Sequence, residues 1–87
     1  RLAFPELNEE RRKELVKEVR KIAEEAKVSI RAIRRDGIDE AKAKQKDSEI
    51  TEDELKVAET EIQKITDKNI EEIDNILADK ETEIMSV

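Results

Sequence analysis

Two trains of aliphatic residues, each advancing by three or four positions, constrain this chain more than any other feature. In the first half Leu15, Val19, Ile22, Ala26, Ile30 and Ile33 keep that step, Val16 and Ala23 widen it, and it continues weakly past Gly37 through Ile38 and Ala41. In the second half Leu55, Ala58, Ile62, Ile65, Ile73, Ile76, Leu77 and Ile84 do the same, with Asn69 at an inward-leaning position near the middle. Such steps return side chains to one side of a helix, so each train predicts one long amphipathic helix.

The ends of these helices are written locally. Residues 1–7 hold the only proline, Pro5, and the only aromatic, Phe4, and read as an extended lead-in. Asn8 offers an N-cap, followed by Glu9 and Glu10 in the first turn, where the helix dipole favours negative charge. The first helix is expected over residues 8–46, on the order of 55 Å long at 1.5 Å per residue. Asp47-Ser48-Glu49 breaks the pattern, and residues 47–50 form the turn. Thr51 and Glu54 then make the Ser/Thr-x-x-Glu capping box, flanked by Ile50 and Leu55 at the positions of a hydrophobic staple, and open a second helix over residues 51–86.

Two long helices joined by so short a turn must run antiparallel. The fold class is therefore all-α, a helical hairpin. Each apolar stripe is wider than one partner can cover, and a two-helix core of this size rarely offsets the chain entropy of folding. The hairpin is expected to be part of an incomplete three-helix bundle. Its missing cover has three open sources: another part of the chain, a second copy, or a partner protein.

Composition narrows the chemistry. Of 87 residues, 48% are charged and only 1% aromatic, so the core must be thin and aliphatic, with no large pocket for a small-molecule substrate. The absence of cysteine and histidine removes disulfides, thiolate nucleophiles, imidazole bases and the usual zinc sites. The carboxylates are spread among lysines, without a Gly-rich loop or apolar pocket to tune them for acid-base work. No enzyme, cofactor or metal is expected. No apolar run approaches the roughly 20 residues of a membrane span and no targeting pattern is visible, so a soluble chain with no membrane partner is expected. The sequence begins at Arg1 with no initiator methionine, so an upstream portion removed or left out is to be expected, and the lack of a targeting pattern carries little weight.

The net charge of −6 conceals a basic half. Residues 8–46 carry thirteen Lys/Arg against nine Asp/Glu, whereas residues 47–87 carry four against fourteen. Local fields steer association, so this asymmetry points to a polyanionic partner better than the net charge does. Lys13, Lys17, Arg20, Lys27, Arg31 and Arg34 follow one another along one face of the first helix, interrupted by Glu24, with Arg35 one turn from Arg31. Arg31, Arg34 and Arg35 place three guanidinium groups within five residues, and the guanidinium fork suits phosphate better than a lysine point charge. A straight helix edge can track the phosphates of structured RNA. The plainer reading stays open: the same cations pair locally with Glu10, Glu14, Glu18 and Asp36, or with the acidic second helix, in individually weak surface ion pairs. Gly37 costs a helix about 1 kcal/mol relative to alanine. It marks either a bend or close approach to RNA, or, as the sequence favours, neutral drift on an exposed face.

Several segments resemble one family. Leu7-Asn8-Glu9-Glu10-Arg11-Arg12-Lys13-Glu14-Leu15, Glu24-Glu25-Ala26-Lys27-Val28, Arg31-Ala32-Ile33-Arg34-Arg35-Asp36, Asp47-Ser48-Glu49-Ile50-Thr51-Glu52-Asp53 and Leu77-Ala78-Asp79-Lys80-Glu81-Thr82-Glu83-Ile84-Met85 are similar, in order and without a gap, to the ribosome recycling factor family. The resemblance implies a long three-helix bundle with a small β-rich domain inserted between its first and second helices, of which this sequence looks like the second and third helices alone. It implies a cytoplasmic bacterial translation factor, with an organellar source left open, that takes apart the post-termination ribosome with elongation factor G. By position it implies contact with large-subunit ribosomal RNA at Arg31 and Arg34, with Arg35 adjacent; the stripe adds Lys27 and Arg20. Recycling activity does not carry over to these residues alone, because the first helix and inserted domain have no counterpart here. The rival reading is a structural coiled-coil hairpin that self-associates through its exposed apolar stripe or binds a protein partner.

Overall fold

The computed structural model describes residues 8–86. They form two helices, α1 over Glu9–Lys46 and α2 over Glu52–Met85, packed side by side as an antiparallel hairpin with no strand among the described residues. The expected lead-in, with Phe4 and Pro5, lies outside the described residues. Among the described residues no helix is long and apolar enough to cross a membrane.

Local chemistry sets each helix end. The Asn8 side chain accepts from the Arg11 backbone N–H at 2.7 Å, satisfying one of the donors a helix start leaves orphaned. α2 opens with both bonds of the capping box: the Glu54 N–H donates to Thr51 Oγ1 at 3.0 Å, and the Thr51 N–H to Glu54 Oε1 at 2.9 Å. α1 closes in a Schellman turn, in which the Glu49 N–H donates to the Lys44 carbonyl at 2.8 Å and the Ser48 N–H to that of Gln45 at 3.0 Å. Ser48 takes the left-handed conformation that this turn demands, with φ of 63°, where glycine is the usual occupant. α2 has no basic residue in its last turn. The Arg12 side chain reaches across from α1 instead and donates to the Met85 carbonyl at 3.1 Å.

The contact between the helices does not run down the centre of the apolar stripes. Val16, Ala23 and Ala41 are the buried residues of α1, and Thr66 is the buried residue of α2. Val16 and Ala23, which the spacing places at the margin of the first stripe, are thus its inner edge. Ile22 and Ile33, at its middle, are 64% and 69% exposed, and Ile65 and Ile76 on α2 are 58% and 59% exposed. The physical reason is width: each stripe spans more of the helix circumference than one neighbour can touch, so the partner covers one flank and leaves the other open. Thr66 satisfies its buried hydroxyl by donating to the Ile62 carbonyl at 2.7 Å. Asn69 keeps the stripe position the spacing gives it, lining the open apolar flank beside Ile65; it is exposed there, and its amide donates to the Ile65 carbonyl at 2.9 Å.

The open flank is continuous. Ile22 and Ile33 are eleven residues apart, three helical turns, and so are Ile65 and Ile76, which aligns all four on one side of the hairpin. Two apolar grooves lie between them: one of about 290 Å³ beside Ile30, Ile33, Gly37, Ile62 and Ile65, and one of about 160 Å³ beside Val19, Ile22, Ile73 and Ile76. Gly37 belongs to this packing. It is half-buried against α2, and a Cβ there would stand 3.4 Å from Ile62 Cδ1. The expectation of drift on an exposed face is therefore corrected, since the residue lies at the contact between the helices.

Candidate nucleic-acid interface

The other flank of the contact between the helices is polar and built on a seven-residue repeat, whose Arg34 also borders the larger apolar groove. Arg20, Lys27 and Arg34 stand two helical turns apart on α1, and Glu81, Asp74 and Asp67 stand at the same interval, in reverse, on α2. Antiparallel packing brings them together as three successive rungs. At the first, Arg20 Nη2 donates to Glu81 Oε1 at 2.6 Å. That bond is the main reason the Glu81 carboxyl is held below its usual range, partly opposed by desolvation and reinforced by the arginine's charge. The same hydrogen bond raises Arg20 further above its ordinary value. At the second rung the Lys27 ammonium pairs with the Asp74 carboxylate, its side chain only 16% exposed.

The third rung is different. Arg34 Nη1 donates to the neutral side chain of Gln63 at 3.2 Å, and the Gln63 amide nitrogen donates onward to Asp67 Oδ1 at 2.9 Å. Gln63 thus stands between the guanidinium and the carboxylate that the repeat would have paired with it. Beyond this rung, Arg31 and Arg35 are exposed and have no hydrogen bond or ion pair among the described residues. Arg31, Arg34, Gln63, Asp67 and Ile70 line a shallow polar groove at this level.

The five basic residues singled out from the sequence therefore fall into two sets. Arg20 and Lys27 are tied to carboxylates of α2, which is the pairing with the acidic second helix that the plainer reading anticipated. Arg31, Arg34 and Arg35 have no carboxylate partner among the described residues and gather along about one turn of α1. An arginine has five N–H donors, so Arg34 keeps most of its fork after one bond to Gln63. Two or three guanidinium groups at this spacing can each hold a phosphate oxygen pair, which is backbone recognition without base reading. Gln63 and Asp67 escaped the sequence reading. They sit on the polar side of α2 with nothing in their own segment to link them to Arg34, and only the register of the two helices supplies that link.

Comparison with known proteins gives a consistent picture. The family model described as "Ribosome recycling factor" matches residues 1–85. The chain is 63% identical over 87 residues to a ribosome-recycling factor of Caldicellulosiruptor saccharolyticus, covering all of this chain and 47% of that protein. It is 62% identical over the same length to one from Streptococcus equi subsp. zooepidemicus, again covering 47% of the relative. One from Acetivibrio thermocellus is 60% identical and is covered over 48% of its length. The chain thus spans about half the length of the curated relatives it matches.

Proposed function

The chain belongs to the ribosome recycling factor family, and on that premise we propose that it supplies the ribosome-binding part of a non-enzymatic translation factor. Arg31, Arg34 and Arg35 contact the phosphates of large-subunit ribosomal RNA. The factor then takes apart the post-termination ribosome together with elongation factor G, in the bacterial cytoplasm.

One observation carries this reading: within a ladder that neutralises Arg20 and Lys27 directly, the neighbouring guanidiniums are left without carboxylates. Arg20 and Lys27 would meet a phosphate only by exchanging their present partners, an inexpensive step for ion pairs with an exposed member. They serve as flanking charge rather than as the anchor. Neutralising about three phosphates gives a log-log salt slope of about −2 to −3 for binding to large ribosomal subunits. Arg34→Glu should weaken that binding and flatten the slope while leaving helicity unchanged. Full affinity in this variant would show that the contact is assigned to the wrong residue.

The open apolar flank, with one groove beside Ile33 and Ile65 and another beside Ile22 and Ile76, supports a second element of the proposal. A third helix from the part of the relatives' length not matched here lies against it and completes the bundle. The rival use of the same flank is self-association. A tight dimer in sedimentation, combined with no affinity for ribosomes, would favour the rival.

A further inference from the structure

The seven-residue ladder singles out Gln63 by contrast with its neighbours. Two rungs join a cation of α1 directly to a carboxylate of α2, Arg20 to Glu81 and Lys27 to Asp74. At the third, an amide is inserted between the charges. Its orientation is dictated by chemistry: a guanidinium cannot accept and an ionised carboxylate cannot donate, so the amide oxygen must face Arg34 and the NH2 group must face Asp67. The side chain is anchored at both ends. It holds one corner of the Arg34 fork in place without contributing a negative charge.

We propose that Gln63 is the positioning residue for the RNA-binding arginine: it fixes the direction of the Arg34 guanidinium while keeping it apart from Asp67, so that the charge stays available for a nucleic-acid phosphate. The proposal rests on the RNA-binding reading above and deepens it. A glutamate at this position would extend the ladder by a third direct pair, of the kind Arg20 makes with Glu81, and would satisfy Arg34 internally. An apolar side chain of similar length would release the guanidinium without neutralising it. These two changes separate the two parts of the role. Loss of neutrality removes a counterion-release contact, and loss of the hold costs only orientation.

The test uses the full-length protein and purified large ribosomal subunits, with affinity measured across a salt series for wild type, Gln63→Glu, Gln63→Met and, as a reference, Arg34→Gln. Helicity is followed by far-UV circular dichroism. Gln63→Glu should bind about tenfold more weakly near 0.1 M salt, the scale of one charged hydrogen bond, and its log-log slope should be shallower by about one. Gln63→Met should bind about threefold more weakly, with the slope kept, since the number of phosphate contacts is unchanged. Wild-type affinity and slope in Gln63→Glu, with Arg34→Gln impaired, overturn the role of Gln63 and leave the RNA contact standing. The same shallower slope in Gln63→Met and Gln63→Glu also overturns it, because charge then plays no part. An unimpaired Arg34→Gln overturns the RNA reading itself.

Discussion

Ile33 offers a direct measure of whether the open flank of the hairpin is covered in the full-length protein. Truncating a fully buried isoleucine to alanine costs about 2–5 kcal/mol, through lost transfer energy and the cavity left behind. Ile33 is 69% exposed within the hairpin, so only about a third of that burial is in place, and an uncovered hairpin should lose less than about 1.5 kcal/mol. A third helix seated in the groove restores the full figure. Ile76, 59% exposed on the facing helix, should behave alike. Val28 is the internal control: it is 58% exposed but lies five residues from Ile33, well around the helix from the groove, so Val28→Ala should be nearly silent in either case. The assay is urea unfolding of full-length wild type, Ile33→Ala, Ile76→Ala and Val28→Ala, compared at a common m-value. Losses of 2 kcal/mol or more at both isoleucines, in the absence of one at Val28, are expected. Losses of less than about 1 kcal/mol at both would refute the covered groove, since no third segment could then be packed on them.

Three further outcomes follow from single features of the fold. Gly37→Ala should stabilise the protein by about 0.5–1 kcal/mol, because the helix gains in propensity and the new methyl meets only the flexible tip of Ile62; a lowered thermal midpoint would mean that this space is already filled. Ser48→Gly should add about 1 kcal/mol by relieving a left-handed residue that carries a Cβ, and an unchanged midpoint would count against strain at the turn. The Glu81 carboxyl is held low by Arg20, so its contribution is present above the ordinary carboxylate range and is lost as pH falls through its depressed value. Thermal unfolding should accordingly show Glu81→Gln to be less stable than wild type at neutral pH, with the two converging in acid; a difference independent of pH would exclude the linkage.

Particular residues show where sequence reasoning reached and where it stopped. The Thr51 and Glu54 box, the Asn8 cap and the break after Lys46 were legible because each is decided by groups within three or four residues of one another. The helical stripes were legible for the same reason. Their buried flank was not: Ala23 and Ile22 are neighbours in sequence, both fit the stripe, and only the position of α2 makes one buried and the other exposed. Thr66, the buried residue of α2, is polar and offered no apolar signal at all. The basic residues divide in the same way. The spacing gathers Arg31, Arg34 and Arg35 into one cluster apart from Arg20 and Lys27, but it does not say that the latter two find carboxylates on α2 and the cluster does not.

What the sequence determined by itself was two long helices with defined ends, an antiparallel connection between them, and kinship with a family through segments that recur in order. The tertiary structure alone decided which arc of each helix meets the other and which cations find carboxylates. Both depend on one register, set between residues some thirty to sixty positions apart in the chain. A stripe wider than a single helix contact is compatible with more than one such register. Packing selects among them, and in doing so it leaves Arg34 facing an amide where its neighbours on the ladder face carboxylates.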